Sequence, residues 1–325
     1  MSTEIVGRSP STLRALQLVD RFAPSTLPIL LVGATGTGKE VFAQRVHEAS
    51  GRTGPLVAVS CAELPREMAE SLLFGHRRGA FTGAVEAASG LVEAARGGTL
   101  FLDELLSLDA LAQAQLLRVL ESQEVRRLGE TRSCRVDFRV VTAAQEDVQS
   151  RVHARSLRRD LYERVAGVVV DLAPLAVRPE DIMPLAEHFA AQRSQTLEPG
   201  AVAVLLNYSW PGNVRELRTA IERAGWLVPD GTLSPAAIAE AIALGGHTPA
   251  DPSATVEGAE RERLLAVCAA HSWDARRVAD ALGIHRATLY RWLRRSGISL
   301  RESQRSRVSR HLPPPCATAR PGGAL

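Results

Sequence analysis

The stretch Pro28 to Glu40 constrains this chain more than any other. Pro28 to Val32 is a short apolar run suited to a buried strand. It leads into Gly33-Ala34-Thr35-Gly36-Thr37-Gly38-Lys39-Glu40, and Val41 to Ala49 then carries a helical pattern. Glycines at 33, 36 and 38 let the chain turn tightly, so that backbone N–H groups and a helix N-terminus can surround phosphate oxygens. Lys39 is the only lysine among 39 Lys plus Arg residues. A chain that uses arginine for every other cation but keeps a compact ammonium here points to the β- and γ-phosphates of a nucleoside triphosphate. Glu40 stands where a hydroxyl usually meets Mg²⁺, so the metal must depend on carboxylates elsewhere.

Such carboxylates end a second apolar run, Gly97-Gly98-Thr99-Leu100-Phe101-Leu102-Asp103-Glu104. Alone, an apolar run ending in two acids is most often a strand meeting solvent. Paired with Lys39, it divides labour: Asp103 holds Mg²⁺ through water and Glu104 polarises the attacking water.

Strand-like runs at Ile29 to Val32, Val57 to Val59, Thr99 to Leu102, Phe138 to Thr142 and Val168 to Leu172 alternate with helical stretches such as Leu108 to Leu120. This alternation predicts an α/β fold, a P-loop parallel sheet with helices on both faces. Glu180 to Ala243 reads as all helical, with starts at Glu198-Pro199, Pro211 and Ser234-Pro235 and no strand between them. The predicted organisation is an ATPase α/β unit over 1–176, a helical lid over 177–244 and a Gly/Pro-rich linker over 245–258. A small all-α DNA-binding domain over 259–299 and a disordered basic tail over 300–325 follow.

The 325 residues carry a net charge of +3, unevenly spread, with six Arg against two Asp between His271 and Leu300. No apolar run reaches the roughly 18 residues of a membrane span. No signal-peptide core follows Met1, so a cytoplasmic protein without a membrane partner is expected. Cys61, Cys134, Cys268 and Cys316 lack metal-ligand spacing; buried thiols and one tail thiol are expected.

Within 259–299, Ala275 to Leu282, Gly283, and Ile284 to Ser296 follow a helix from Glu260 to Ala270, which is helix-turn-helix patterning. Ala279, Leu282, Ile284, Leu289 and Leu293 supply its core. His285, Arg286, Thr288 and Arg291 suit base edges and phosphates of double-stranded DNA, and Arg294 and Arg295 suit backbone contact.

Between the phosphate loop and the acid pair lies Gly79-Ala80-Phe81-Thr82-Gly83-Ala84. An aromatic ring among small residues is a candidate protein contact, although composition alone favours Phe81 folded onto its own domain. The hexapeptide, preceded by Leu73-Phe74-Gly75-His76, resembles the hallmark loop of the bacterial enhancer-binding proteins, the AAA+ activators of sigma-54 RNA polymerase. The similarity runs from Ile5 to about Gly297 and includes the Lys39-Glu40 ending of the phosphate loop. It implies that ATP hydrolysis moves this loop, that Gly79 to Ala84 contact sigma-54 through Phe81 and Thr82, and that the closed promoter complex is remodelled so that DNA melts. The terminal helices resemble the Fis-type domain of the same activators, which binds palindromic enhancer sites as a dimer.

The resemblance also assigns arginines. Arg158 and Arg164, in Leu157-Arg158-Arg159-Asp160-Leu161-Tyr162-Glu163-Arg164, match the segment that supplies arginine fingers to a neighbouring subunit. A ring of subunits, usually a hexamer, is implied, because the guanidinium neutralises charge on the γ-phosphoryl group only after assembly. Trp210-Pro211-Gly212-Asn213-Val214-Arg215-Glu216-Leu217 is similar to the sensor II segment, with Pro211 suited to a first helical turn, Trp210 to lid core and Arg215 to reading the phosphate state.

Several positions depart from the pattern. Ser60 replaces the Asn that restrains the catalytic Glu, Ala144 and Gln145 replace the Thr-Asn of sensor I, Arg77 replaces an acid, and Ala176 replaces an Arg. Losing a preorganised polar contact slows catalysis by on the order of 10². A DNA-binding regulator that binds ATP but turns it over poorly is therefore the alternative reading. A helicase loader or chaperone is a further rival, which the intact hexapeptide disfavours. Because the ATPase pattern begins at Ile5, no sensing domain is expected ahead of it, and control is expected from a partner, expression level, or the linker and tail.

Overall fold

A computed structural model describes residues 4–145, 148–228 and 231–246, together with Val278. The chain divides into two units, Met1–His247 and Thr248–Leu325. Almost all of the second lies outside the described residues. This includes the expected DNA contacts His285, Arg286, Thr288, Arg291, Arg294 and Arg295, the core residues assigned beside them, most of the linker, and the tail.

In chain order the first unit opens with α1 (Pro10–Phe22), β1 (Ile29–Val32), α2 (Lys39–Ala49) and β2 (Leu56–Ser60). Next come α3 (Ala69–Phe74), β3 (Gly75–His76), β4 (Ala88–Ser89), α4 (Leu91–Ala94) and β5 (Thr99–Asp103). Then follow α5 (Ala110–Ser122), β6 (Glu124–Val125), β7 (Cys134–Arg135), β8 (Arg139–Ala144), α6 (Val148–His153), α7 (Arg159–Val165) and β9 (Val168–Asp171).

Five strands form a parallel sheet in the order β2-β5-β8-β1-β9. Strand side chains alternate between faces, and the two cores follow that period. Ile29, Leu31, Phe101, Val141 and Ala143 pack with Ala15, Val19, Phe42 and Val46 of α1 and α2. Leu30, Leu100, Leu102 and Val140 pack with Leu73, Leu116, Leu161 and Val165 from the helices of the other face. The expected α/β class with helices on both faces is what these cores require. Helix starts follow side-chain chemistry: Ser9 caps α1 by accepting the Thr12 N–H at 3.2 Å, with Pro10 next. Asp109 caps α5 at the Ala112 N–H, 2.8 Å, which places that helix at 110–122 rather than 108–120.

One buried cation fastens α1 to the sheet. Arg139, the first residue of β8, donates to the carbonyls of Phe22 (3.1 Å), Ala23 (2.6 Å), Leu27 (3.2 Å) and Ser25, closing the end of α1. Burial pushes its pKa down to about 10, so it stays charged at neutral pH, with the carbonyls offsetting lost hydration. Arg139→Ala is expected to lower unfolding stability by about 2–4 kcal/mol, since it orphans several carbonyls. Removing Arg52, paired with the exposed Asp137, should cost about 0–1 kcal/mol. Chemical denaturation of the two variants compares these costs.

The lid contains α8 (Ile182–Ala191), β10 (Thr196–Leu197), α9 (Ala201–Asn207), α10 (Asn213–Leu227), β11 (Thr232–Leu233) and α11 (Pro235–Ala243). Its core gathers Leu175, Ile182, Leu205, Trp210, Leu217, Ile221 and Ile238. Two expectations change. The lid is not purely helical, because Thr196 and Leu197 pair in parallel with Thr232 and Leu233; segments this short carry no readable alternation. Pro211 does not start a helix: α10 begins at Asn213, after Trp210 and Asn213 each adopt positive φ. Trp210 is buried as expected, its indole donating to the Leu205 carbonyl at 2.9 Å.

Candidate active site

The strand order reverses at β1, where open α/β sheets place ligands beyond the carboxyl ends of their strands. There the loop Gly33 to Gly38 joins β1 to α2. Gly36 and Gly38 take positive φ values of 80° and 106°, a conformation side chains resist. Among the described residues, the amides of Thr35, Gly36 and Gly38 donate to no protein acceptor. Orphan N–H groups beside a helix N-terminus form an anion cradle, so the residues present fit a phosphate chain. The Lys39 side chain is 9% exposed, and its ammonium donates to the Gly33 carbonyl at 2.8 Å and the Ala34 carbonyl at 3.1 Å. The same fold-back that satisfies Lys39 holds it over the cradle.

Asp103 ends β5, separated from β1 only by β8, so the acid pair and the phosphate loop share one sheet edge. Glu104 is left-handed, φ 52°, and donates its amide to Asp103 Oδ1 at 2.9 Å. Strain of that kind in a non-glycine residue persists where surrounding structure enforces it, and it is frequent at functional sites. Ser60 pairs in register with Asp103 across β2 and β5; its hydroxyl makes no hydrogen bond to Glu104 among the described residues. Burial, then the charges of Asp103 and Glu104, push the adjacent Cys61 thiol up to about 12, so it is a neutral packing group. Cys134, by contrast, is only half-buried, short of the full burial expected. Ala144, at the end of β8, is buried and offers only its carbonyl, which accepts the Gly33 N–H at 3.2 Å.

The lid reaches this edge directly. The Gly36 carbonyl accepts the amides of Val214 (2.9 Å) and Arg215 (3.3 Å), and the Asn213 side chain donates to the Thr35 carbonyl at 3.0 Å. A Cβ at Gly36 would strike Gly212 backbone and crowd Arg215. Arg215, the expected phosphate reader, has its amide on the loop and its side chain exposed. Sequence reasoning quoted Asn213 without giving it a role, and it missed Arg178. Buried Arg178 donates to the Thr37 carbonyl at 2.9 Å and to Thr12 Oγ1 at 2.9 Å. Beside it, Asp181 accepts from Arg8, Ser9 and Thr12. A cleft of about 640 Å³ opens beside Gly33, lined by Pro10, Arg14, Leu18, Val32, Asp171 and Ala173. No periodic signal marks it, since its walls come from α1, β1 and β9.

The two candidate fingers sit apart from that network. Arg158 forks onto Asp160 at 3.0 and 2.7 Å, and Arg164 donates to the Leu120 carbonyl at 2.7 Å. Neither bonds a phosphate-loop residue within its own chain.

Gly79 to Ala84 forms the tip of the antiparallel β3–β4 hairpin. It is closed by Gly79 N–H to Ala84 carbonyl (2.9 Å) and Ala84 N–H to Phe81 carbonyl (3.0 Å). Gly79 and Gly83 are left-handed with open space around them, Thr82 and Val85 are exposed, and Phe81 is 41% exposed. At the base, the Arg77 amide donates to the Leu128 carbonyl and the Leu128 amide to the Gly75 carbonyl. The ring therefore neither packs into the core nor stands wholly in solvent.

The sigma-54 interaction domain family matches residues 5–171, the AAA+ ATPase lid domain residues 176–255, and the Fis family of bacterial regulatory proteins residues 255–295. The chain belongs to the sigma-54-dependent activators, the bacterial enhancer-binding proteins. It is 43% identical, over 78% of its length, to the anaerobic nitric oxide reductase transcription regulator NorR of Enterobacter sp. strain 638, of which it covers 52%. It is 39% identical to the transcriptional regulatory protein ZraR of Klebsiella oxytoca over 88% of its length and 67% of the relative. The chain thus spans about half the length of the NorR relatives it matches. Among solved structures, NtrX from Brucella abortus in complex with ADP aligns at a TM-score of 0.70 and 30% identity, over 91% of this chain and 70% of that one. The Thermotoga maritima RuvB branch migration motor, at 15% identity and a TM-score of 0.53 over 95% of this chain and 96% of that one, shares the fold alone.

Proposed function

We propose that this enhancer-binding protein hydrolyses ATP and transmits each cycle through the Gly79 to Ala84 loop to sigma-54 polymerase, remodelling the closed promoter complex while its Fis-type domain holds enhancer DNA in the cytoplasm. One observation carries the reading. The orphan amides of Thr35, Gly36 and Gly38, the buried Lys39 ammonium and the Asp103–Glu104 pair lie along one edge of the sheet. Phosphate oxygens would satisfy the amides and draw Lys39 off the Gly33 and Ala34 carbonyls. Asp103 would hold Mg²⁺ through water, and the ion would neutralise phosphate charge when bound. Glu104 takes the proton of the attacking water, and Arg215 and Asn213 report the loop's state to the lid.

Arg158 bonds Asp160, Arg164 bonds the Leu120 carbonyl, and neither bonds the phosphate loop of its own chain, which supports action on a neighbouring subunit. Phosphate release per subunit should therefore rise with protein concentration. Arg164→Ala should lower it by on the order of 10³ or more while leaving ATP binding in place. Release that is independent of concentration would remove the trans role.

The alternative, a regulator that binds ATP but hydrolyses it poorly, is favoured by two specific features. Ala144 has no side-chain donor at the sensor I position, and Ser60 makes no hydrogen bond to Glu104 among the described residues. Intact nucleotide binding and assembly without any phosphate release would establish it.

A further inference from the structure

Resting on the reading of Phe81 as a sigma-54 contact, we infer that His76 is a positioning residue that parks the Phe81 ring and so limits how much of the loop is offered to sigma-54.

The two rings sit 5.1 Å apart between centroids, tilted by 59°. That is a tilted aromatic contact within one hairpin: His76 is on β3 and Phe81 is at the tip. The imidazole is itself fixed, with its Nδ1 2.8 Å from the hydroxyl of Ser71, a buried residue of α3. Its backbone is pinned from the other side by the bridge to Leu128. His76 is therefore a firm platform, whereas Phe81 rides on a turn hinged at two left-handed glycines that have no atoms crowding them. Between a fixed ring and a hinged one, the hinged one moves. The partial exposure of Phe81 fits this arrangement: the ring meets the imidazole yet stays open to solvent. Breaking the contact costs only what one aromatic pair contributes, so parked and released loops differ by a factor that a change at the nucleotide site can overcome.

Two readouts test the inference in the full chain. First, 4-fluorophenylalanine placed at position 81 reports the ring's surroundings by fluorine NMR without any partner. His76→Ala should shift and narrow that resonance, His76→Phe should restore an aromatic-shifted line, and Ser71→Ala should give an intermediate position. A resonance indifferent to His76→Ala in protein that melts normally overturns the inference.

Second, sigma-54 affinity is measured by anisotropy with ADP and with ADP–aluminium fluoride. In the ADP state His76→Ala should bind about two- to tenfold more tightly than wild type, while His76→Phe should not. The transition-state-analogue complexes should match. A merely structural histidine would weaken binding in both states, and that result, or equal ADP-state affinities, overturns it. Wild type that fails to bind sigma-54 even with the analogue strikes at the proposed function instead, and the fluorine resonance still decides the ring contact.

Discussion

Lys39→Ala is expected to abolish nucleotide binding, weakening it by on the order of 10² or more, because a charge-assisted contact to two phosphates has no replacement nearby. The loop should keep its shape. Its turns are set by the positive φ of Gly36 and Gly38 and by the lid amides on the Gly36 carbonyl, so the variant should remain folded, with some stability lost at the Gly33 and Ala34 carbonyls. Lys39→Arg should not rescue, since a planar fork does not replace a compact ammonium inside a tight backbone cradle. Being the sole lysine gives the site its own probe. An amine-acylating reagent can modify only one side chain in the protein, and Mg-ATP should protect it. Calorimetry of both variants against Mg-ATP checks the loss, and near-normal heats of binding for Lys39→Ala would contradict the assignment.

Thr82→Ala is expected to separate hydrolysis from work. Thr82 is exposed at the hairpin tip and contributes nothing to the sheet edge that holds Lys39 and Glu104. Phosphate release should therefore stay within about twofold of wild type, as expected of a surface substitution that leaves folding intact. Open-complex formation at a sigma-54 promoter should be lost. Comparable losses of hydrolysis in Thr82→Ala and Lys39→Ala would contradict this division of labour.

Much of the site is legible in the sequence because each part is a local pattern with a local cause. Ile29–Val32 is bounded by Pro28 and Gly33 and buried on both faces, so its apolar run coincides with the strand. The phosphate loop and the acid pair follow their strands immediately. What the sequence conceals depends on distant segments meeting. Arg178 reaches Thr37 across more than a hundred residues, and the cleft beside Gly33 takes walls from three elements. The pairing of Thr196–Leu197 with Thr232–Leu233 is two residues long and has no period to read. Pro211 misled for a different reason: a proline before Gly-Asn suits a helix start, but here Asn213 turns its side chain to the Thr35 carbonyl and the Leu175 amide, which delays the helix by two residues. Composition favours Phe81 folded onto its own domain, and the ring does rest on His76, but it remains partly exposed at the hairpin tip.

The departures at Ser60 and Ala144 bear on rate more than on binding. They add nothing to the cradle amides or Lys39, whereas Ser60 makes no hydrogen bond to Glu104 among the described residues.

The most direct measurement is open-complex formation by sigma-54 holoenzyme on a supercoiled enhancer template, with ATP and with a non-hydrolysable analogue. Coupled hydrolysis predicts open complexes with ATP alone, lost in Lys39→Ala and in Thr82→Ala. Open complexes formed equally well with the analogue, or none formed by protein that is visibly releasing phosphate, would contradict it.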